Sequence, residues 1–314
     1  MPEKIRKTKP LKKNAVIGLI SPASPQRDED RLHRSIRYLE SLGYRVAPGR
    51  NLLKRFGGYL AGTDEERLSD LHEMFADPDI DAVFCARGGY GSTRYLDRVD
   101  YSLIRRNPKI FVGFSDMTAL QSAIFKRTGL ITFSGAMPSV DMADGFEQES
   151  EEFFWRMLSS SVPPGNISPS EKILPLISGV AEGRLICGNL TMFTALCGTK
   201  FSPDYRGKIL LAEEIGEEPY RIDRMLMQLE GNGVWRKLAG LAFGKFTHGN
   251  LRPTSVPQRE IREVIEEFAG RAGLPAIQNL MYGHTAKKLT LPFGIMAKIN
   301  GDKGEFSIVE SPFE

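Results

Sequence analysis

Where the apolar segment KIFVGF meets the helical segment MTALQSAIFKRTG, the chain places Ser115 and Asp116 at the corner. A hydroxyl held where a strand turns into a helix lies among backbone N–H groups at the positive end of the helix. Such a serine can act as a nucleophile, its developing oxyanion met by the amide of Asp116 and by a donor from a neighbouring glycine loop. Ser115 can also serve simply as the N-cap of the helix over residues 116–127, and on the local pattern the cap is the simpler reading. The hydrolase elbow Gly-x-Ser-x-Gly is not met, because Met117 stands in place of its last glycine.

A nucleophilic serine needs a base, and histidine titrates nearest neutrality. Of the four histidines, His33 and His72 fall in amphipathic helical segments and read as surface residues. His248 in KFTHGN and His284 in MYGHTAKK both read as loop residues that could accept a proton. The carboxylate that would orient the imidazole has five candidates in AEEIGEEPYRIDRML: Glu213, Glu214, Glu217, Glu218 and Asp223. Glu217 and Glu218 fall in the turn between the apolar segment KILLA and the helical segment YRIDRMLMQL, where a side chain can reach a cleft. Either could equally be part of an acidic helix start. The loop RGGYG at residues 87–91 lacks the Lys-Ser/Thr of a P-loop and the spacing of Gly-x-Gly-x-x-Gly. Its glycines would let backbone amides approach a substrate closely. No Cys/His spacing for zinc and no calcium loop is present, so no metal is expected.

The elements that must position these residues alternate. The run AVIGLI at residues 15–20 ends in SPASP and reads as a buried strand delivering a turn. In RDEDRLHRSIRYLESLGY, Leu32, Ile36 and Leu39 share one helical face ahead of Gly43. Thr63 and Glu66 form a capping box before RLSDLHEMFADP. IDAVFCARGGYGS and KIFVGFSD then each run from an apolar strand into a loop. Strands alternating with amphipathic helices predict a parallel sheet covered on both faces, with SPAS, RGGYG and GFSD opening on one rim at the strands' carboxyl ends. The Ser-, Pro- and Gly-rich stretch 151–180 reads as a linker between an N-terminal α/β domain over 14–150 and a C-terminal domain over 181–314.

Composition excludes several classes. Of the 314 residues, 41% are hydrophobic and 26% charged, which is ordinary for a globular domain and unlike a coiled coil or a disordered chain. The formal charge of +3 is carried by a basic leader over residues 1–13, with Lys4, Arg6, Lys7, Lys9, Lys12 and Lys13. A nucleic-acid reader would place its basic stripe on a folded face instead, so this segment reads as solvated and no nucleic-acid partner is expected. The apolar run after it is shorter than a signal peptide's, and no segment approaches a membrane span. Three cysteines, at 85, 187 and 197, form no disulfide framework. The cytoplasm is the expected location.

Taken in order, SPAS (21–24), ARGGYGS (86–92), GFSD (113–116), Gly-Asn-Leu (188–190), EEIGEEPYRIDRML (213–226) and Tyr-Gly-His (282–284), with Pro292 and Gly294 following, resemble the LD-carboxypeptidase family of serine peptidases. The resemblance runs over about residues 14–300 and is specific because six motifs recur in order. It implies that Ser115 is the nucleophile, Glu217 and His284 its triad partners, and the backbone amides of Asp116 and Gly89 the oxyanion hole. It further implies a flavodoxin-like N-terminal domain joined to a smaller mixed β/α C-terminal domain. The implied reaction releases terminal D-alanine from murein tetrapeptides without cofactor or metal. Arg87 and Arg224 are candidates to grip the terminal carboxylate, since a guanidinium can do so bidentately. A homodimer acting on a small peptide, away from any membrane, is the expected assembly. The family's microcin C immunity branch, which cleaves peptidyl-aminoacyl adenylates, is the alternative; it would need an aromatic platform, and only Trp155 and Trp235 exist. A non-catalytic binding module of two α/β lobes is the alternative of another class.

Overall fold

The computed structural model describes residues 4–247 and 259–314; His248 and most of its loop lie outside them. In chain order the elements are β1 (Val16–Ile20), α1 (Glu29–Ser41), β2 (Arg45–Pro48), α2 (Asp64–Ala76), β3 (Ala82–Cys85), α3 (Tyr101–Arg106), β4 (Ile110–Gly113), α4 (Met117–Thr128), β5 (Thr132–Ser134) and α5 (Gln148–Ser159). There follow β6 (Gly165–Ile167), β7 (Leu174–Ile177), β8 (Val180–Asn189), α6 (Leu190–Leu196), β9 (Lys208–Ile215), α7 (Pro219–Gly231), β10 (Gly240–Thr247), α8 (Ile261–Ala272), β11 (Ala276–Gln278), β12 (Leu291–Phe293), β13 (Met296–Asn300) and β14 (Glu305–Ile308). The chain divides into a unit of residues 1–162, 289–294 and 312–314 and a unit of residues 163–288 and 295–311.

The first unit is built on a sheet of order β12-β5-β4-β3-β1-β2. Its strands β2, β1, β3, β4 and β5 pair in parallel, and β12 closes the far edge antiparallel to β5. The order 2-1-3-4-5 is that of flavodoxin-like folds, as the family resemblance implies. β1, β3 and β4 are buried at every residue, as apolar strands covered on both faces must be. α2 begins with the Thr63–Glu66 capping box that its sequence predicts. The second unit holds a mixed sheet of order β6-β14-β13-β8-β9-β10-β11-β7, parallel from β8 to β11 and antiparallel outside them.

Two expectations give way. Residues 151–180 are not a plain linker. They hold most of α5, whose Phe153, Phe154, Met157 and Leu158 are buried, and the strands β6 and β7 at the two ends of the second sheet. The one proline inside these strands, Pro175, lies on edge strand β7, where proline is tolerated, so the abundance of proline and serine around them did not mean absence of structure. The basic leader is not wholly solvated either. From residue 4 it runs along the first unit, Arg6 N–H donating to Gly129 O at 2.9 Å and Leu11 N–H to Leu158 O at 2.8 Å, with Thr8 and Leu11 buried. Those contacts are with segments more than a hundred residues away, beyond the reach of a local reading.

Candidate functional site

The first unit gathers SPAS, RGGYG and GFSD on one rim, at the carboxyl ends of β1, β3 and β4, where the strand order reverses. Gly88 lies against Ser115: a Cβ there would fall 3.0 Å from Ser115 Cβ and 3.0 Å from Phe114 O. Gly89, at φ +119°, lies against Ser24, whose Oγ would be 2.2 Å from an added Cβ. Ser24 Oγ also accepts the Tyr90 N–H at 3.0 Å. Buried Arg67 of α2 binds the loops together, one guanidinium nitrogen donating to Pro22 O at 2.8 Å and Gly91 O at 2.9 Å. Nothing in the local sequence of α2 singled it out.

Ser115 itself holds φ +64°, in the left-handed region. A helix N-cap adopts extended backbone, which Ser115 does not, and Asp116 at the N-cap position of α4 makes no side-chain cap. A non-glycine residue in that region costs on the order of 1–3 kcal/mol and persists only where its surroundings enforce it. Asp116 supplies part of that enforcement. Its carboxylate accepts the Gly91 N–H at 3.3 Å and the Ser92 N–H at 2.9 Å, while Ser92 Oγ donates to Asp116 O at 2.8 Å. Burial pushes the Asp116 carboxyl above the usual carboxylate range, and the bonds from Ser92 and Gly91 oppose that shift. The residue after the serine therefore fixes the glycine loop to the serine's own turn. Arg87, half-buried in the same loop, donates to Pro25 O at 2.7 Å.

The second unit brings another pair together. His284 Nδ1 lies 2.7 Å from Glu213 Oε2, and Glu213 is fully buried at the carboxyl end of β9. A carboxylate facing Nδ1 fits the tautomer that carries its hydrogen there, which puts the ring's lone pair on Nε2. The parallel register of β8 with β9 sets Asn189 beside Glu213, and its amide nitrogen lies 3.2 Å from Glu213 Oε1 and 2.8 Å from Glu214 Oε1. Asn189 also accepts the Met192 N–H at the start of α6. Glu214 is held further by the N–H and hydroxyl of Thr191, each at 2.8 Å. Burial raises its pKa, the Asn189 bond pulling the other way. Gly244 lets the histidine segment approach, since a Cβ there would strike Tyr282 O at 2.2 Å.

The carboxylate on His284 is thus Glu213, and the expectation of Glu217 is corrected. Glu217 lies beyond β9 in the turn before α7, partly exposed, 3.5 Å from Arg221 Nη1 one helical turn on. The signal for Glu213 was present in KILLAEEI: a carboxylate inside a buried strand must find a partner. Glu218 occupies the N-cap position of α7 and makes no side-chain cap. Arg224 is exposed on α7, its guanidinium 5.4 Å from the Tyr220 ring centre.

Residues 17–135 match the LD-carboxypeptidase N-terminal domain and residues 182–299 the LD-carboxypeptidase C-terminal domain. The chain is 40% identical over 294 residues to a probable murein peptide carboxypeptidase of Bacillus subtilis, covering 94% of this chain and 91% of that one. Among solved structures it is similar to the microcin C7 self-immunity protein MccF of Escherichia coli, with TM-score 0.90, 27% identity and coverage of 98% and 99%. It is also similar to the muramoyltetrapeptide carboxypeptidase of Oxalobacter formigenes, with TM-score 0.82, 31% identity and coverage of 95% and 99%.

Proposed function

The chain belongs to the LD-carboxypeptidase family, and from that premise we propose that it is a serine carboxypeptidase that cleaves the amide between the L-centre of a diamino acid and the terminal D-alanine of murein tetrapeptides. The observation that carries this reading is the left-handed Ser115, held at φ +64° against Gly88 of RGGYG. In the mechanism, Ser115 Oγ attacks the scissile carbonyl while His284 Nε2 takes its proton. Glu213 keeps the Nδ1–H in place and stabilises the imidazolium. The backbone N–H groups of Asp116 and Gly89 receive the oxyanion. His284 then protonates the leaving amine of D-alanine, and water, deprotonated by the same nitrogen, releases the peptide from Ser115. Nucleophile, base and oxyanion donors all come from the chain, so the reaction needs no cofactor. Arg87, in the loop beside Ser115, is our choice for the terminal carboxylate; Arg224, on an exposed helix face, is less suited.

The backbone similarity to MccF favours a second reading, cleavage of a peptidyl-aminoacyl adenylate. A tryptophan platform for a nucleobase would require an open indole face, and neither tryptophan offers one, although exposed tyrosines such as Tyr90 of RGGYG are present. Trp155 stacks on Tyr44 with ring centres 5.0 Å apart and donates to Tyr38 Oη at 2.9 Å, and Trp235 is buried. Mass spectrometry of a murein tetrapeptide incubated with the pure protein is expected to show loss of alanine. An intact tetrapeptide beside a cleaved aminoacyl adenylate would transfer the protein to the second reading. Cys85 and Cys187 are buried and in no disulfide, in keeping with a reducing compartment, and our reading keeps the cytoplasm as the location and a homodimer as the assembly.

The clamp formed by Asp116 gives a further expected result. Asp116→Asn keeps the shape but turns one acceptor into a donor facing the N–H groups of Gly91 and Ser92, which loosens the loop that offers Gly89. We expect kcat to fall by about a hundredfold, the scale of one lost oxyanion donor, with KM little changed. Steady-state kinetics check this, and an unchanged kcat would remove Asp116 from the catalytic argument.

A further inference from the structure

Lys245 on β10 lies under the turn that leads to His284 and has no part in the chemistry proposed above. Its ammonium donates to Asn279 Oδ1 at 2.6 Å and pairs with the Glu171 carboxylate. Asn279 opens the turn at φ +63° and donates from its own amide to Lys172 O at 2.8 Å. Three residues on, the Lys245 N–H donates to Tyr282 O at 2.7 Å. The absence of a side chain on Gly283 permits this, since a Cβ there would fall 2.7 Å from Lys245 Cβ. Past His284, Lys287 Nζ reaches Ser170 Oγ at 3.0 Å. Residues 170–172 are therefore laced to the histidine turn on both of its sides, and Lys245 joins strand, turn and segment at one point.

We propose that Lys245 is a positioning residue for His284, holding the turn so that Nδ1 meets Glu213 and Nε2 is presented to substrate. The inference rests on the reading of His284 as the base. An ammonium with a side chain only 16% exposed is costly unless paired. The pairing here is with a carboxylate and an amide oxygen, and charge-assisted bonds of this kind are short and directional. The same bonds that satisfy the ammonium fix the start of the turn. Among the described residues, the charged groups on and beside the turn include Glu213 from β9, Lys245 from β10, Glu171 and Lys172 from the segment before β7, and Lys287 and the buried Lys288 past His284.

The test uses Lys245→Met in the full chain, with His284→Ala as reference. By proton NMR the intact protein is expected to show a low-field resonance from the His284 Nδ1–H, identified by its absence in His284→Ala. In Lys245→Met that resonance should broaden or vanish. kcat should fall by about tenfold to a hundredfold, the scale of a misplaced catalytic group, with KM within about threefold. The acid limb of kcat/KM should move to lower pH, because an imidazolium that has lost its carboxylate is less stable. If Lys245→Met does not fold, Glu171→Gln takes its place; it removes one partner of the ammonium and should shift the same readouts in the same direction by less. A folded variant that keeps the resonance and the pH profile overturns the inference. Full activity in His284→Ala would instead overturn the reading of the base, a result the NMR comparison keeps separate.

Discussion

Ser115→Ala is expected to abolish release of D-alanine, lowering turnover by about a millionfold, the scale seen when a serine nucleophile is removed. Stability should change by no more than about 1–2 kcal/mol, because alanine suffers the same left-handed backbone at φ +64° that serine does. The companion variant separates strain from chemistry. Ser115→Gly removes the Cβ that makes this backbone unfavourable, so it should be equally inactive, yet no less stable and up to about 1 kcal/mol more so. Turnover measured on product, together with thermal unfolding of both variants, checks the pair. A fluorophosphonate should label the intact protein at Ser115 and neither variant. Near-normal turnover in Ser115→Ala would end the serine-peptidase reading, and failure to label a folded sample would favour a binding module.

Glu213→Gln is expected to lower kcat by at least about a hundredfold, and up to about ten-thousandfold on the precedent of other triads. The substituted amide can donate to Nδ1 and so leave the hydrogen on Nε2, the wrong tautomer for a base. KM should move little, since the buried carboxylate has no proposed contact with substrate. Glu217→Gln should change kcat by less than about tenfold, because its carboxylate meets Arg221 at the surface, where an ion pair contributes little. The opposite ranking of the two variants would return the triad carboxylate to Glu217.

The contrast between these glutamates shows what a sequence can and cannot carry. Both lie in EEIGEEPY, four residues apart, and family motif and local pattern together pointed to the one in the turn. Position in a turn argues for access to a cleft. Position at the buried end of an apolar strand argues for an obligatory partner, and here that argument gives the residue on His284. Asn189 was visible only as part of a motif, and its double bond to Glu213 and Glu214 depends on strand register. Arg67 and Lys245 gave no signal, since each binds backbone or side chains distant in sequence.

The sequence by itself determined the alternation of strand and helix in the first unit, the turn segments SPAS, RGGYG and GFSD after β1, β3 and β4, the serine at the last of them, and the loop in which His284 follows Gly283. These follow from periodicity, capping and turn chemistry, which act over a few residues and leave their mark there. Tertiary structure alone decided which of five carboxylates meets His284, that Ser115 is strained rather than a cap, and that the stretch 151–180 joins the fold instead of merely connecting it. Each of those outcomes depends on the pairing of distant strands: β8 beside β9 sets Asn189 against Glu213, and Gly244 in β10 opens the space through which Tyr282 and its histidine approach. Pairing of that kind is set by the burial of whole faces, a property of the assembled sheet and of no single segment.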